Sequence, residues 1–247
     1  MTAIYPDLKG KKIFITGASS GIGKAQCLAF LDQGAIVFAV DKSKCNIKQN
    51  NFNFKLIDIN DSNNIIDHLN TLNNIDIVCN TAGILDDFSP SLETSRYKWD
   101  KVINTNLTSM FTVTNVMVEK SISTKSPLVV VNMASIAGMI ASGGGAAYTA
   151  SKHAIVGYTK QLNFDYGKKG IRANCISPGA VKTYMTKEDF NNNAEVAKRV
   201  ASETLIKRYA DPSEVAELTL FLASDSSKYI YGANIPIDAG FILGKKI

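Results

Sequence analysis

The chain predicts an α/β fold, one doubly wound parallel sheet of seven strands with helices on both faces. Two observations lead there. Short apolar runs alternate with longer amphipathic stretches along all 247 residues, the mark of repeated strand–helix–strand units. The short runs are rich in Ile, Val, Leu and Phe without polar alternation, as suits strands covered on both faces. They are Lys12 to Thr16, Ala35 to Val40, Phe54 to Ile57, Ile75 to Cys79 and Leu128 to Met133; two more strands follow, Arg172 to Ile176 and Asn234 to Ile237. Helices are expected between them, including Ile22 to Gln33, Tyr97 to Val118 and Ala147 to Tyr166.

No linker rich in Pro, Gly or Ser and no internal repeat interrupts residues 1–247, so they read as one domain. The connection from Asp41 to Asp58 is rich in Asn and Lys and short for a crossover with a long helix. A stub of helix or an irregular loop is expected there. A second polar cluster, Lys187 to Asn193, follows Pro178-Gly179.

Composition excludes several classes. Hydrophobic residues make up 45% and charged residues 20%, with a net charge of +5 spread along the chain. A nucleic-acid surface would show a clustered basic stripe, so no nucleic-acid partner is expected. Cys27, Cys45, Cys79 and Cys175 are far apart, and only His68 and His153 could join them as ligands. Free thiols, a reducing cytoplasmic compartment and no metal site are the expectation. The chain has no signal-like start and no apolar run of roughly twenty residues, so no membrane association is expected.

The first strand runs into Thr16-Gly17-Ala18-Ser19-Ser20-Gly21-Ile22-Gly23 and then a helix. Glycines there let the backbone approach a ligand, and the helix N-terminus offers free N–H groups to a pyrophosphate. An acidic residue, Asp41, ends the second strand about twenty residues on, the spacing of a dinucleotide-binding, Rossmann-like unit. Its carboxylate can accept from ribose hydroxyls and would repel a 2′-phosphate. Ser20 stands where NADP binders place a basic residue, so NAD is expected over NADP.

Tyr148 and Lys152 are four residues apart in a helical pattern, hence on one face. A tyrosine beside an ammonium is a proton exchanger, because the positive charge favours the phenolate. Ser135 follows the fifth strand in Val130-Val131-Asn132-Met133-Ala134-Ser135. Ligands bind at the carboxyl edge of such sheets, where a hydroxyl can donate to a developing oxyanion.

With these residues in view, the chain resembles the short-chain dehydrogenase/reductase family, and within it the bacterial 3-oxoacyl-(acyl-carrier-protein) reductases. The resemblance runs in order through the glycine turn, Asn80-Thr81-Ala82-Gly83, Asn106, Ser135, Tyr148/Lys152, Pro178-Gly179, Thr183 and Ile237-Asp238-Ala239-Gly240. Two departures are Thr81, where many members carry a second Asn, and Ala239, where many carry Gly. The resemblance implies an NAD(H)-dependent enzyme with Tyr148 as general acid or base. Lys152 would lower its pKa and hold the nicotinamide ribose, Ser135 would orient the substrate oxygen, and Asn106 would position a water near Lys152.

The cofactor site it implies comprises Gly17, Ser19, Ser20, Gly21, Ile22, Gly23, Asp41, Asp58, Ile59, Asn80, Ala82, Gly83, Tyr148, Lys152, Pro178, Gly179, Val181 and Thr183. Asp58 would end strand three and read the adenine, and Thr183 with the backbone near Val181 would hold the nicotinamide amide. A mobile lid is implied at Lys187 to Asn193.

The substrate cavity is expected to be lined by Ile84, Leu85, Ile136 to Gly145 and Ala180 to Met185, without an arginine placed for a compact dicarboxylate. These linings suit a 3-oxoacyl thioester, with an acyl carrier protein as partner and a place in fatty acid biosynthesis. The carrier would meet Lys125, Lys168 and Lys169. Diols, dihydrodiols, sugar alcohols and diketones are alternatives, as is a catalytically silent NAD-sensing protein on the same fold. The helices at Tyr97–Val118 and Ala147–Tyr166 carry surplus apolar residues (Met110, Phe111, Tyr158, Phe164), from which a homotetramer is expected.

Overall fold

The computed structural model describes residues 3–141 and 143–244. Its strands are β1 (Lys12–Thr16), β2 (Ile36–Asp41), β3 (Phe52–Leu56), β4 (Ile77–Asn80), β5 (Leu128–Met133), β6 (Ile171–Pro178) and β7 (Asn234–Ile237). All pair in parallel in the order β3-β2-β1-β4-β5-β6-β7. The order reverses between β1 and β4, which opens a crevice at their carboxyl ends.

Alternation along each strand builds two cores. Ile13 and Ile15 face helices α1 (Gly21–Asp32) and α7 (Pro212–Ala223), packing with Phe30, Val37, Ile77, Val215 and Leu220. Phe14 points the other way, with Val40, Ile65, Leu69, Val78, Val113, Val130 and Leu162. That face is covered by α2 (Ser62–Thr71), α4 (Ser109–Thr124) and α5 (Ala146–Tyr166). Strands β1, β4, β5 and β6 are almost wholly buried, in keeping with their unbroken apolar runs.

Two expectations need correction. β3 is an edge strand with Leu56 exposed, not a strand covered on both faces. Residues 42–51 hold no helix, so no helix covers that edge. The irregular loop is what forms there. The helix expected over Tyr97 to Val118 is longer and interrupted: α3 (Arg96–Ile103) passes through a π-helical turn, Asn104–Thr108, into α4. Such turns shift the register of a helix face and recur at functional sites.

Beyond β6, two short turns at Lys187–Phe190 and Asn192–Ala194 lead into α6 (Glu195–Ser202), a helix the sequence reading did not anticipate. The Tyr209 hydroxyl donates to Asp189 at 2.8 Å and its ring packs edge-on against Phe190. This segment is thereby tied to the body. Ala239 lies at φ 51°, a left-handed conformation that glycine adopts without strain. Four free thiols, Cys27, Cys45, Cys79 and Cys175, are present, and the first, third and fourth are buried. No described helix is long and apolar enough to cross a membrane.

Candidate active site

A cavity of about 600 Å³ opens at the carboxyl edge of the sheet. Ser135, Tyr148, Lys152, Gly83, Ile22, Pro178, Gly179, Val181 and Thr183 all reach it, although they lie as much as 161 positions apart from Ile22 to Thr183. Each arrives from the end of a strand or the start of the helix after it. Ser135 follows β5, Tyr148 and Lys152 occupy successive turns of α5, and Pro178 ends β6.

Tyr148 is 8% exposed and Lys152 4%, with the ammonium 5.4 Å from the centre of the phenol ring. Lys152 Nζ donates to the carbonyl of Met133 at 2.8 Å. Burial pushes Tyr148 up to about 12; a hydrogen bond from Ser135 pulls the other way and the Asp86 carboxylate adds to the rise. Burial likewise brings Lys152 down to about 8, partly countered by Cys175. The sequence alone suggested that Lys152 would lower the tyrosine. In the protein by itself burial is the largest influence on the phenol and Ser135 the group that opposes it, since the phenolate is the form that loses hydration.

A lysine held below its ordinary 10.5 destabilises the fold while it is charged. Between pH 8 and 10.5 the unfolded chain binds the additional proton, so this contribution makes stability rise with pH across that window. Lys152→Met is therefore expected to raise the thermal midpoint at pH 7 by roughly 5 °C. The gain should shrink above the lysine's folded-state value. Calorimetry at pH 7 and at about pH 9.5, inside that window, checks both; a lower midpoint for the variant at neutral pH contradicts them.

Asn106 sits in the π-helical turn, 2% exposed. Its Oδ1 accepts from the Ile84 N–H at 2.8 Å, and its Nδ2 donates to the Ile84 carbonyl and to Ser151 Oγ. An ideal Cβ on Gly83 would lie 3.3 Å from Asn106 Oδ1 and 3.7 Å from Lys152 Nζ, so glycine there keeps the space between them open.

The glycine turn fits a dinucleotide. A Cβ on Gly17 would meet the Ala82 backbone at 2.9 Å, and one on Gly23 would strike the Gly17 carbonyl at 2.1 Å. Ser20 caps α1 by position without a side-chain hydrogen bond, so the first-turn amides face outward for an anion. Thr183 packs over Gly21, its Cγ2 3.1 Å from an ideal Cβ there. Asp41 accepts from the Ser19 N–H at 3.0 Å and Ser19 Oγ at 2.7 Å, and from the Ser43 N–H at 2.8 Å.

Asp58, Ile59, Asn80 and Ala82 lie apart from the cavity, whereas Thr81 lines it. Asp58 is exposed two residues beyond β3 rather than ending it, accepting from the Asn60 backbone and side chain. Ile59 beside it is buried. Asn80 turns into the sheet, donating to Thr114 Oγ1 and Asn132 Oδ1. Ala82 packs at Gly17, and its N–H donates to Thr16 Oγ1. Thr81 gives its hydroxyl proton to Gln26, whose amide donates to Thr219, joining the turn to α1 and α7.

The expected cavity walls are met in part. Leu85, Ile136, Ile140, Gly143, Ala180 and Met185 line it, while Ser142 lies outside the described residues. An arginine does reach the cavity: Arg199 on α6, with Asp189 and Glu203 nearby on the same wall. Sequence reading missed it because nothing in the Lys187–Asn193 composition announced the helix that follows. Asn174 was missed too; its amide pins residues 230–233 by bonds to Ile230 and Ala233. Lys125, Lys168 and Lys169 precede β5 and β6, which puts them at the opposite edge of the sheet. A strand's length, on the order of 20 Å, separates them from the cavity, so they do not rim it.

The family model described as Enoyl-(Acyl carrier protein) reductase matches residues 17–242. The chain is 34% identical to the 3-oxoacyl-(acyl-carrier-protein) reductase of Thermotoga maritima, over 96% of this chain and 99% of that one. It is 34% identical to 3beta-hydroxysteroid dehydrogenase 2 of Eggerthella lenta, over 96% of each. A solved 4-hydroxyisoleucine dehydrogenase complexed with NADH superposes with a TM-score of 0.88 at 35% identity, covering 95% of this chain and all of the other. The seven-stranded parallel sheet, the glycine turn, the Tyr-x-x-x-Lys helix and these likenesses agree: the chain belongs to the short-chain dehydrogenase/reductase family of oxidoreductases that act on CH–OH groups.

Proposed function

We propose that this protein interconverts a secondary alcohol and a ketone with NAD(H) as its preferred cofactor. The convergence of Ser135, Tyr148 and Lys152 on one cavity beside the glycine turn carries this reading. The dinucleotide, when bound, supplies or accepts the hydride and in its oxidised form brings a positive ring. Tyr148 gives its phenolic proton to the carbonyl oxygen in reduction and takes it back in oxidation. Ser135 donates to that oxygen, and Lys152 stabilises the phenolate and holds ribose hydroxyls. Asn106 keeps the Lys152 neighbourhood polar. The turn Gly17 to Gly23, Asp41, Asp58, Gly83 and Pro178–Thr183 would hold the dinucleotide, with Ile59, Asn80 and Ala82 beside it through their backbone, since the Asn80 side chain is spent inside the sheet.

The substrate class we carry forward is a 3-oxoacyl thioester, supported by the largely apolar inner wall and by relatives named for that activity. Because Lys168 and Lys169 sit at the far edge of the sheet, a carrier docked there could deliver its thioester only to a neighbouring subunit. A second reading is a small hydroxy or oxo acid, favoured by Arg199 on the cavity wall.

A cofactor-linked absorbance assay with acetoacetyl thioester on carrier protein, cyclopentanol, acetoin and small hydroxy acids separates them. The thioester reading expects the carrier substrate to be used at least roughly tenfold better than the small ketones, with Lys168→Glu/Lys169→Glu losing salt-sensitive association rather than turnover. Equal use of acetoin, with the double variant unaffected, removes it. We further propose a homotetramer: Phe111 and Phe164 remain 48% and 87% exposed on α4 and α5, although Met110 turns into the core. Light scattering at micromolar concentration should read four subunits, and a monomer would refute it.

A further inference from the structure

The residue at the N-cap of helix α5 is a glycine, Gly145, which offers no side chain to cap the helix's free amides. The cap comes from elsewhere in the chain. Asp86, six residues beyond β4 and 1% exposed, accepts from the Gly145 N–H at 2.8 Å through Oδ1 and from the Tyr148 N–H at 2.9 Å through Oδ2. These are the bonds that an N-cap side chain and its capping-box partner would make, here supplied by one carboxylate.

The same turn supplies a third acceptor. The Asp86 carbonyl receives the Ser89 N–H, and the Ser89 carbonyl receives the Ala146 N–H at 3.1 Å. Asp87 and Phe88 between them are held at φ 56° and 55°, a left-handed conformation uncommon for such residues, and it brings the turn onto the helix end. Lys98 anchors it from outside through Ser89 Oγ and Asp87. Gly145 is needed for this approach, since a Cβ there would lie 2.6 Å from Asp86 Oδ2 and 2.5 Å from the Ser89 backbone. Leu85 and Phe88, flanking the turn, line the substrate cavity.

We propose that Asp86 is a positioning residue for the reacting tyrosine: by capping α5 from the loop after β4, it locks the Tyr148 backbone to the cavity wall formed by Leu85 and Phe88. The inference rests on the reading of Tyr148 as the proton exchanger. A carboxylate at a helix N-terminus is favoured by the helix dipole, so the lock needs no cationic partner. It also brings a negative charge near the phenol. The charged or titratable groups facing Tyr148 are Lys152 from α5 and Asp86 from the β4 loop, with the Ser135 hydroxyl after β5. Cys175 on β6 acts on Lys152, and Asp189 and Glu203 stand on the cavity wall.

Asp86→Asn keeps the shape but turns one acceptor into a donor facing an N–H. With the best substrate of the panel above, kcat should fall roughly tenfold while KM for NAD stays within about twofold. The pH profile of alcohol oxidation should move to lower pH, because a negative charge near the phenol is gone. In the unmodified protein, the amides of Gly145 and Tyr148 should exchange with deuterium as slowly as those in the middle of α5, unlike an ordinary fraying helix start. Fast exchange there overturns the lock without any variant. So does an Asp86→Asn protein with the parent's kcat and pH profile, or one whose loss of activity only tracks its loss of folded protein. Tyr148→Phe run in parallel separates the two levels: if it stays active the tyrosine reading fails, and if it is dead beside an unaffected Asp86→Asn, only the lock fails.

Discussion

Tyr148→Phe should cut turnover by about 10²–10⁴-fold, the usual worth of a positioned general acid or base, while leaving NADH affinity within about twofold. The substitution removes one oxygen from a ring that is otherwise packed against Ala137, Ala147 and Val102. Those contacts do not depend on the hydroxyl, so the fold should survive. The pyrophosphate would meet the amides of the glycine turn at the start of α1, not the phenolic oxygen, so cofactor affinity should survive as well. Because burial holds the phenol at about 12 in the protein alone, oxidation, which needs the phenolate, should accelerate as pH rises. Reduction, which needs the phenol, should hold its rate to higher pH before falling. Steady-state rates in both directions and a fluorescence titration with NADH check these points. Retention of more than a few per cent of the parent's activity would remove Tyr148 from its role.

NADH should be used better than NADPH by roughly 10²-fold in kcat/KM. The carboxylate of Asp41 ends β2 and is held in place by Ser19 and by the backbone of Ser43. A 2′-phosphate brought against it would meet a like charge, at a cost of several kcal/mol. Asp41→Ser should narrow the ratio mainly by improving NADPH. The measurement is kcat/KM for both cofactors with one substrate in parent and variant, and equal or better NADPH use by the parent overturns the assignment. Lys42, exposed beside Asp41, is the residue that would then supply the compensating charge.

Much of the site was legible because its chemistry is local. The glycine turn is a contiguous stretch whose function depends on missing side chains, so the residues themselves announce it. The i, i+4 spacing of Tyr148 and Lys152 places them on one helix face whatever the rest of the fold does. Strand interiors were legible for a similar reason, since burial on both faces demands unbroken apolar runs. The edge strand β3 was misread as covered because Phe54, Leu56 and Ile57 look apolar, while only the sheet order leaves one side uncovered.

What the sequence by itself determined is therefore the sheet, the glycine turn between β1 and α1, and the placing of Tyr148 and Lys152 on one helix face, each encoded by short-range pattern. The tertiary structure alone decided three things: that burial, not Lys152, dominates the Tyr148 proton, that Arg199 reaches the cavity, and that Asp86 caps α5 from 59 positions before Gly145. Each depends on distances between residues remote in the chain. Desolvation and through-space hydrogen bonds have no periodicity, so no local pattern of residue types carries them.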